Sequence, residues 1–220
     1  MRDKLVKAAV KCLHERGFAA TTLANVADAA GVSRGAITHH FPSKAELALT
    51  VVRAVHDEDM AWYRTQTAKF EPRELMLQLP KMMWQVLSRP AGIAVMEIFL
   101  GARSDPELAE RLAIIQSQIR TESAEAMSGP QRAANLAERA DREVIQTLIT
   151  GAVRGLAMEV LITRRFDVAE QAIERLTDVI RFFYPGLNDL ANETPATVVQ
   201  AKKESKSSSD KRRSEGTANR

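Results

Sequence analysis

The sequence predicts an all-α protein, and three observations carry that prediction. Apolar residues recur at helical spacing along most of the 220 residues, and no segment alternates apolar with polar as a half-buried strand does. Aromatics make up 5% of the chain, with two Tyr, which leans away from the β-rich classes. The breaks between periodic runs are helix stops and starts: Gly17, Gly31, Ser33, Pro42, Ser43 and Asp105-Pro106.

Taken in order, Leu5, Ala8, Ala9, Cys12 and Leu13 follow the i, i+3, i+4, i+7, i+8 pattern of an amphipathic helix that Gly17 should end. Thr21 or Thr22 can cap the next helix, whose inner face is Leu23, Val26, Ala27 and Ala30 and whose stop is Gly31. Ser33 caps a stub of about two turns with Ile37 and Phe41 inward, and Pro42 disfavours helical backbone at Phe41. Ser43-Lys44-Ala45-Glu46 reads as a capping box. It opens a helix expected to run to near Phe70, with Leu47, Val51, Val52, Val55 and Trp62 on or near one face. Further helices are expected between Pro72 and Arg89, between Ala91 and Arg103, and from Asp105-Pro106-Glu107 to near Gly129-Pro130. Two more follow at roughly 138–165 and 168–184. From about Asn192 the chain is Lys/Ser-rich with almost nothing to bury and is expected to be a disordered tail. The predicted organisation is a head of short helices over 1–45, a larger helical body over 46–190 and a tail over 191–220.

The formal net charge of +3 is unevenly placed. Residues 1–53 carry eight Lys/Arg and four Asp/Glu, residues 54–191 sixteen and twenty, and residues 192–220 seven and four. A basic head on an acidic body suits a polyanion partner. The single cysteine, Cys12, lies on an apolar helix face and reads as a small core residue. One cysteine excludes a disulfide framework, which fits a reducing, cytoplasmic setting. No apolar run approaches the ~18 residues of a membrane span, and Lys4, Lys7 and Lys11 interrupt any signal-peptide pattern, so no membrane partner is expected.

The chemistry concentrates in the stub. A helix of two turns buries too little to stand alone. Its outward residues, Arg34, Gly35, Ala36, Thr38 and His39, are not an ordinary acidic solvent face. Three short helices with Ala-Gly-Val-Ser between the second and third make a helix-turn-helix, in which Val32 can plug the angle. Arg34 lies at the N-terminal end, where a recognition helix meets base edges, and can offer two donors to O6 and N7 of guanine. Gly35 and Ala36 let the backbone approach the groove floor. Thr38, His39 and Lys44 suit phosphate oxygens, as does Thr22 at a helix N-terminus.

The stretch "GFAATTLANVADAAGVSRGAITHHFPSKAEL" resembles the N-terminal domain of the TetR (tetracycline-repressor) family of transcriptional regulators, within a match over residues 4–50. The pieces that match are the Gly-Phe corner, Thr21-Thr22, Ala27, Gly31-Val32-Ser33, Phe41, Lys44 and Leu47. The resemblance implies a homodimer whose short third helices enter successive major grooves of a palindromic double-stranded operator. It implies DNA contacts at Thr22, Arg34, Gly35, Ala36, Thr38, His39, His40 and Lys44. Many members carry Tyr where this chain has Thr38, so that shorter hydroxyl reaches a phosphate only if the helix sits closer. The resemblance also implies a C-terminal domain that binds a small-molecule effector and pairs through its last two helices. "EIFLGARSDPEL", Glu97 to Leu108, resembles the middle of many regulators of this family.

In the body, Trp62, Met76, Met82, Met83, Trp84, Met96, Phe99 and Met158 could line a ligand cavity, because Met adapts to irregular shapes; they could equally be plain core. Gly151 and Gly155, four apart, would let another helix approach closely, and the family places its dimer bundle there. The apolar residues expected at that interface are Leu148, Gly151, Gly155, Ile173, Leu176 and Ile180. A helical-bundle enzyme is the rival class. Residues three before His14, His39, His40 and His56 are Lys11, Ala36, Ile37 and Arg53, so no Glu-x-x-His pair exists. No P-loop, G-x-S-x-G or Cys/His cluster is present either. No catalytic residue, metal or cofactor is therefore expected. The chain should be a ligand-responsive repressor.

Overall fold

The computed structural model describes residues 1–134 and 142–187. The predicted tail, and the predicted start of the helix at 138, lie outside the described residues. Among those residues there are helices and no strands. The helices are α1 (Arg2–Ala20), α2 (Leu23–Ala30), α3 (Arg34–His40), α4 (Lys44–Thr67), α5 (Pro72–Leu87), α6 (Pro90–Ala102), α7 (Pro106–Ala133), α8 (Arg142–Thr163) and α9 (Phe166–Phe183).

The punctuation works as its chemistry requires, with three local differences. Gly17 breaks the regular helix inside α1 with φ 76°, a conformation that L side chains rarely adopt. Gly31 closes α2 at φ 60°. The reciprocal capping box forms at Thr22 rather than Ser43. Thr22 Oγ1 accepts from the Asn25 N–H while the Asn25 side chain accepts from the Thr22 N–H. Thr21 is buried instead, its hydroxyl donating to the Gly17 carbonyl at 2.8 Å. Ser43 does cap α4, accepting from the Glu46 N–H at 3.1 Å. The Glu46 carboxylate, however, turns away to Arg111 at 2.7 Å, because a cation on α7 outcompetes a neutral N–H. Finally, α7 runs through Pro130 to Ala133 rather than ending there. Proline loses its own donor, but its carbonyl still accepts, here from the Ala134 N–H at 2.9 Å.

Ile37 and Phe41 are each 1% exposed, and they hold the stub to the core. Their burial is worth about 1.5–3 kcal/mol apiece, which a seven-residue helix lacks by itself. Cys12 is buried as a core residue. One buried cluster joins α1 to α4 with Ala94, Ile98 and Ala102 of α6 and Leu108 and Leu112 of α7, so it crosses the expected boundary at residue 45. A second joins Leu75, Met76 and Met82 of α5 to Ile145, Ile149 and Val153 of α8 and Ile173 and Ile180 of α9. A third, smaller one sets Ile93 and Met96 of α6 against Ala157 of α8.

The sequence predicts no run long enough for a membrane span, and the structure qualifies that. Glu143–Thr163 is long and apolar enough by length and composition. Its inner stripe, Ile145, Ile149, Val153, Ala157 and Val160, is buried in the protein, while Val144, Leu148 and Ile162 of the same helix are exposed.

Candidate nucleic-acid interface

The stub presents what its pattern promised. Arg34, Gly35, Thr38 and His39 are exposed, Ala36 and His40 are half-buried, and Ile37 lies beneath them. Ser33 Oγ accepts from the Ala36 N–H at 3.2 Å and so fixes where α3 begins. Gly35 is informative because nothing in the fold demands glycine there. An added Cβ would meet only Ser33 Oγ, at 3.9 Å, and φ is not positive. Glycine within a helix costs about 1 kcal/mol relative to Ala. The subunit's own packing therefore gives no reason for a bare backbone at this point.

Three of the predicted phosphate contacts already have partners in the protein. Thr22 Oγ1 is held in the capping box, 2.8 Å from Asn25 Oδ1. Thr38 Oγ1 lies 3.1 Å from both the Arg34 and Gly35 carbonyls, so its proton points back into its own helix. Its acceptor lone pairs do nothing for a phosphate, and donating outward would require the O–H to turn about the Cβ–Oγ1 bond and leave those carbonyls. Lys44 Nζ donates to the Phe18 carbonyl, reaches towards that of Ala19, and sits 4.0 Å from the Phe18 ring centroid. Burial pushes the Lys44 pKa down, with Asp105 opposing. Two of its three protons face carbonyls in the last turn of α1, that of Phe18 also accepting from the Thr21 N–H, and one remains for an outside acceptor. The rings of His39 and His40 pack in a T-shaped arrangement with centroids 5.5 Å apart.

Sequence reasoning missed the junction beneath this face. The Phe18 N–H donates to Glu97 Oε2 at 3.1 Å, and the Phe18 ring occupies the space a Cβ at Gly101 would fill, 2.0 Å from it. Both partners belong to α6. The Gly-Phe corner, Gly17, Phe18 and Gly101 were visible as residues, but no spacing relates position 18 to positions 97 and 101. Elsewhere Arg53 joins Glu122 at 2.8 Å, His56 joins the same carboxylate at 3.2 Å, and Arg89 pairs with Asp59.

The residues expected to line a ligand cavity fall in more than one apolar cluster. Trp62 and Met83 pack on the α5–α8–α9 cluster, and Phe99 packs on the head cluster. Met96 and Met158 meet between α6 and α8, with Trp84 touching that group and the α5 cluster alike. The expected dimer residues divide too. Leu148 is 54% exposed, and Gly151 and Gly155 face open space. Ile173 and Ile180 are 2% and 3% exposed, because α9 turns that stripe inward onto α5. These two serve the subunit's own core and are not free for a partner, while Leu176 is half-buried.

A family model for bacterial regulatory proteins of the tetR family matches residues 5–51, the three-helix head and the start of α4. Beyond the head, the chain is 33% identical to the HTH-type transcriptional regulator CymR of Pseudomonas putida over 167 residues, 73% of this chain and 79% of that protein. The chain belongs to the TetR family of bacterial transcriptional regulators. Among other members, it is 26% identical to the probable acrEF/envCD operon repressor of Escherichia coli K12, over 85% of this chain and 88% of that one. Its fold matches the transcriptional regulator FadR of Bacillus subtilis, solved in complex with stearoyl-CoA. There the TM-score is 0.63 at 14% identity, covering 80% of this chain and 97% of that one. In this TetR-family chain the matched head carries the α3 face on which Gly35 meets no internal demand for glycine.

Proposed function

We propose that this TetR-family regulator is a homodimeric, cytoplasmic repressor that a small-molecule effector releases from a palindromic operator. The observation that carries the reading is α3 itself. Its buried Ile37 anchors an exposed strip of Arg34, Gly35, Thr38 and His39 at a position where glycine serves no internal need. Arg34 reads base edges near the start of α3, Gly35 and Ala36 admit the backbone, and Thr22, Thr38, His39, His40 and Lys44 position the head on phosphates. The head is residues 1–45 and the body 46–190.

Two features support the remaining parts. An exposed apolar strip on α8, with Val144, Leu148 and Ile162 beside open Gly151 and Gly155, offers a face for a second copy. Helix α6 touches both ends of the molecule: Ala94, Ile98 and Ala102 lie in the head cluster, and Ile93 and Met96 meet α8. An effector with greater affinity for one arrangement of α6 and α8 would shift α1 through the Phe18 junction and spoil the spacing of two heads. A relative named a repressor, and a neighbour solved with stearoyl-CoA, are consistent with that sequence of events.

Selection of bound sequences from a random DNA pool tests the reading. A two-fold symmetric consensus is expected, with Arg34→Ala relaxing one position in each half-site. Recovery of no consensus, or of one with a single half-site, would overturn it.

A further inference from the structure

Arg154 lies midway along α8 and leans against α6, its guanidinium carbon 5.6 Å from the centroid of the Phe99 ring. Its Nε is shut off from water with no acceptor, and among the described residues no ion pair or hydrogen bond reaches the group. Burial lowers its pKa, and no carboxylate opposes the effect. Three other half-buried arginines, unlike Arg73, have carboxylate partners, although Arg89 Nε likewise lacks an acceptor. Arg53 has Glu122 and Asp57, Arg89 has Asp59, and Arg111 has Glu46. An inward cation without an anion is a net cost in a folded chain, and an apolar side chain of similar volume would fill the place at less cost.

What surrounds it is apolar. Ala157, Met158 and Leu161 continue the same stripe of α8, three, four and seven residues on. They face Ile93 and Met96 of α6, with Trp84 alongside. A planar guanidinium at one end of a methionine-containing stripe has the chemistry to take a carboxylate by two parallel hydrogen bonds while the remainder of the molecule lies on thioether and aromatic surface. We infer that α6 and α8 hold an organic carboxylate with an apolar body, and that Arg154 is its counter-ion. The inference rests on the reading that the body binds an effector, and it names that effector's chemical class.

The test uses the full chain without DNA, with octanoate and phenylacetate as probes, each beside its amide. Tryptophan emission, to which Trp84 contributes, reports binding. At least one acid should bind about tenfold or more tighter than its amide, as a charge-assisted pair implies. Arg154→Gln should abolish that preference and leave the amide's affinity unchanged. Arg154→Met, unliganded, should melt above the wild type, because an uncompensated cation is removed.

Equal affinity of acids and amides, or no binding by either acid, would overturn the inference. So would a lower melting temperature for Arg154→Met. If that loss deepens with protein concentration, the counter-ion belongs to a second copy, and the inference falls likewise. Adding operator DNA separates this inference from the proposed function. Acids that bind through Arg154 yet leave DNA bound support the carboxylate site and defeat the effector reading. Release of DNA by the amides alone, with no part for Arg154, does the reverse.

Discussion

At the scale of single residues, Gly101 and Phe18 form a fit with no tolerance. A methyl at 101 would sit 2.0 Å from Phe18 Cδ1, so the ring must leave its place against α6. Gly101→Ala should therefore destabilise the chain by about 1–3 kcal/mol, read as a lower urea midpoint. An unchanged midpoint would show that the ring repacks freely. The DNA face separates two kinds of cation. Arg34 is exposed, and Arg34→Ala should weaken cognate DNA by about 1–3 kcal/mol with little effect on random DNA or on stability. Lys44 holds the Phe18 carbonyl, so Lys44→Ala should weaken cognate and random DNA alike and also lower the melting temperature. Equal losses on both DNAs for Arg34→Ala would make it a phosphate contact.

Between elements, polar clamps join helices that are distant in sequence, and one of them titrates in a useful range. Asp59 of α4 faces Arg89 at the N-terminal end of α6. Burial raises its carboxyl pKa from 3.8 to about 6, with Arg89 opposing the shift and Glu58 adding to it. The folded chain thus holds this proton more tightly than the unfolded chain. The contribution to stability is fully present below the unfolded value, declines as pH rises through about 6, and is flat above. Asp59→Asn, which keeps the neutral form at every pH, should gain in melting temperature relative to the wild type between pH 4 and 6. A difference between the two proteins that stays constant across that range would mean that Arg89 keeps Asp59 ionised throughout.

For the whole molecule, charge and symmetry make separate predictions. If each head neutralises about four phosphates, a dimer neutralises about eight, and log K against log[salt] should have a slope near −7. A slope shallower than about −2 would contradict the phosphate contacts. The pairing face is better chosen on α8 than on the inner stripe of α9. Leu148→Arg should give a monomer by sedimentation whose helical signal is unchanged and whose operator affinity is lost, since Leu148 makes little of the subunit core. A dimer that survives this substitution would move the interface elsewhere.

Much of the local structure was legible because its causes are local. The helical period, the stops at Gly17 and Gly31, the cap at Ser33 and the Phe41-Pro42 end of α3 each act within one or two turns, and the structure places them as the pattern implies. The exposed and buried sides of α3 followed from the same period, so the candidate DNA face could be named residue by residue. Family membership was legible in the same string. The tertiary structure decided what depends on contacts between distant positions. It chose α5 as the neighbour of α9 and so buried Ile173 and Ile180 that the pattern offered to a partner. It divided the Met and Trp residues between two clusters and put Phe99 in a third, took Glu46 to Arg111, and took Lys44 to Phe18. It also left Arg154 beside Phe99 without an anion. Helical periodicity tells which face of a helix is apolar, but not which helix covers it or which charge meets which. Those choices are made by packing, where a few kcal/mol of burial and ion pairing select one arrangement from several that the pattern allows.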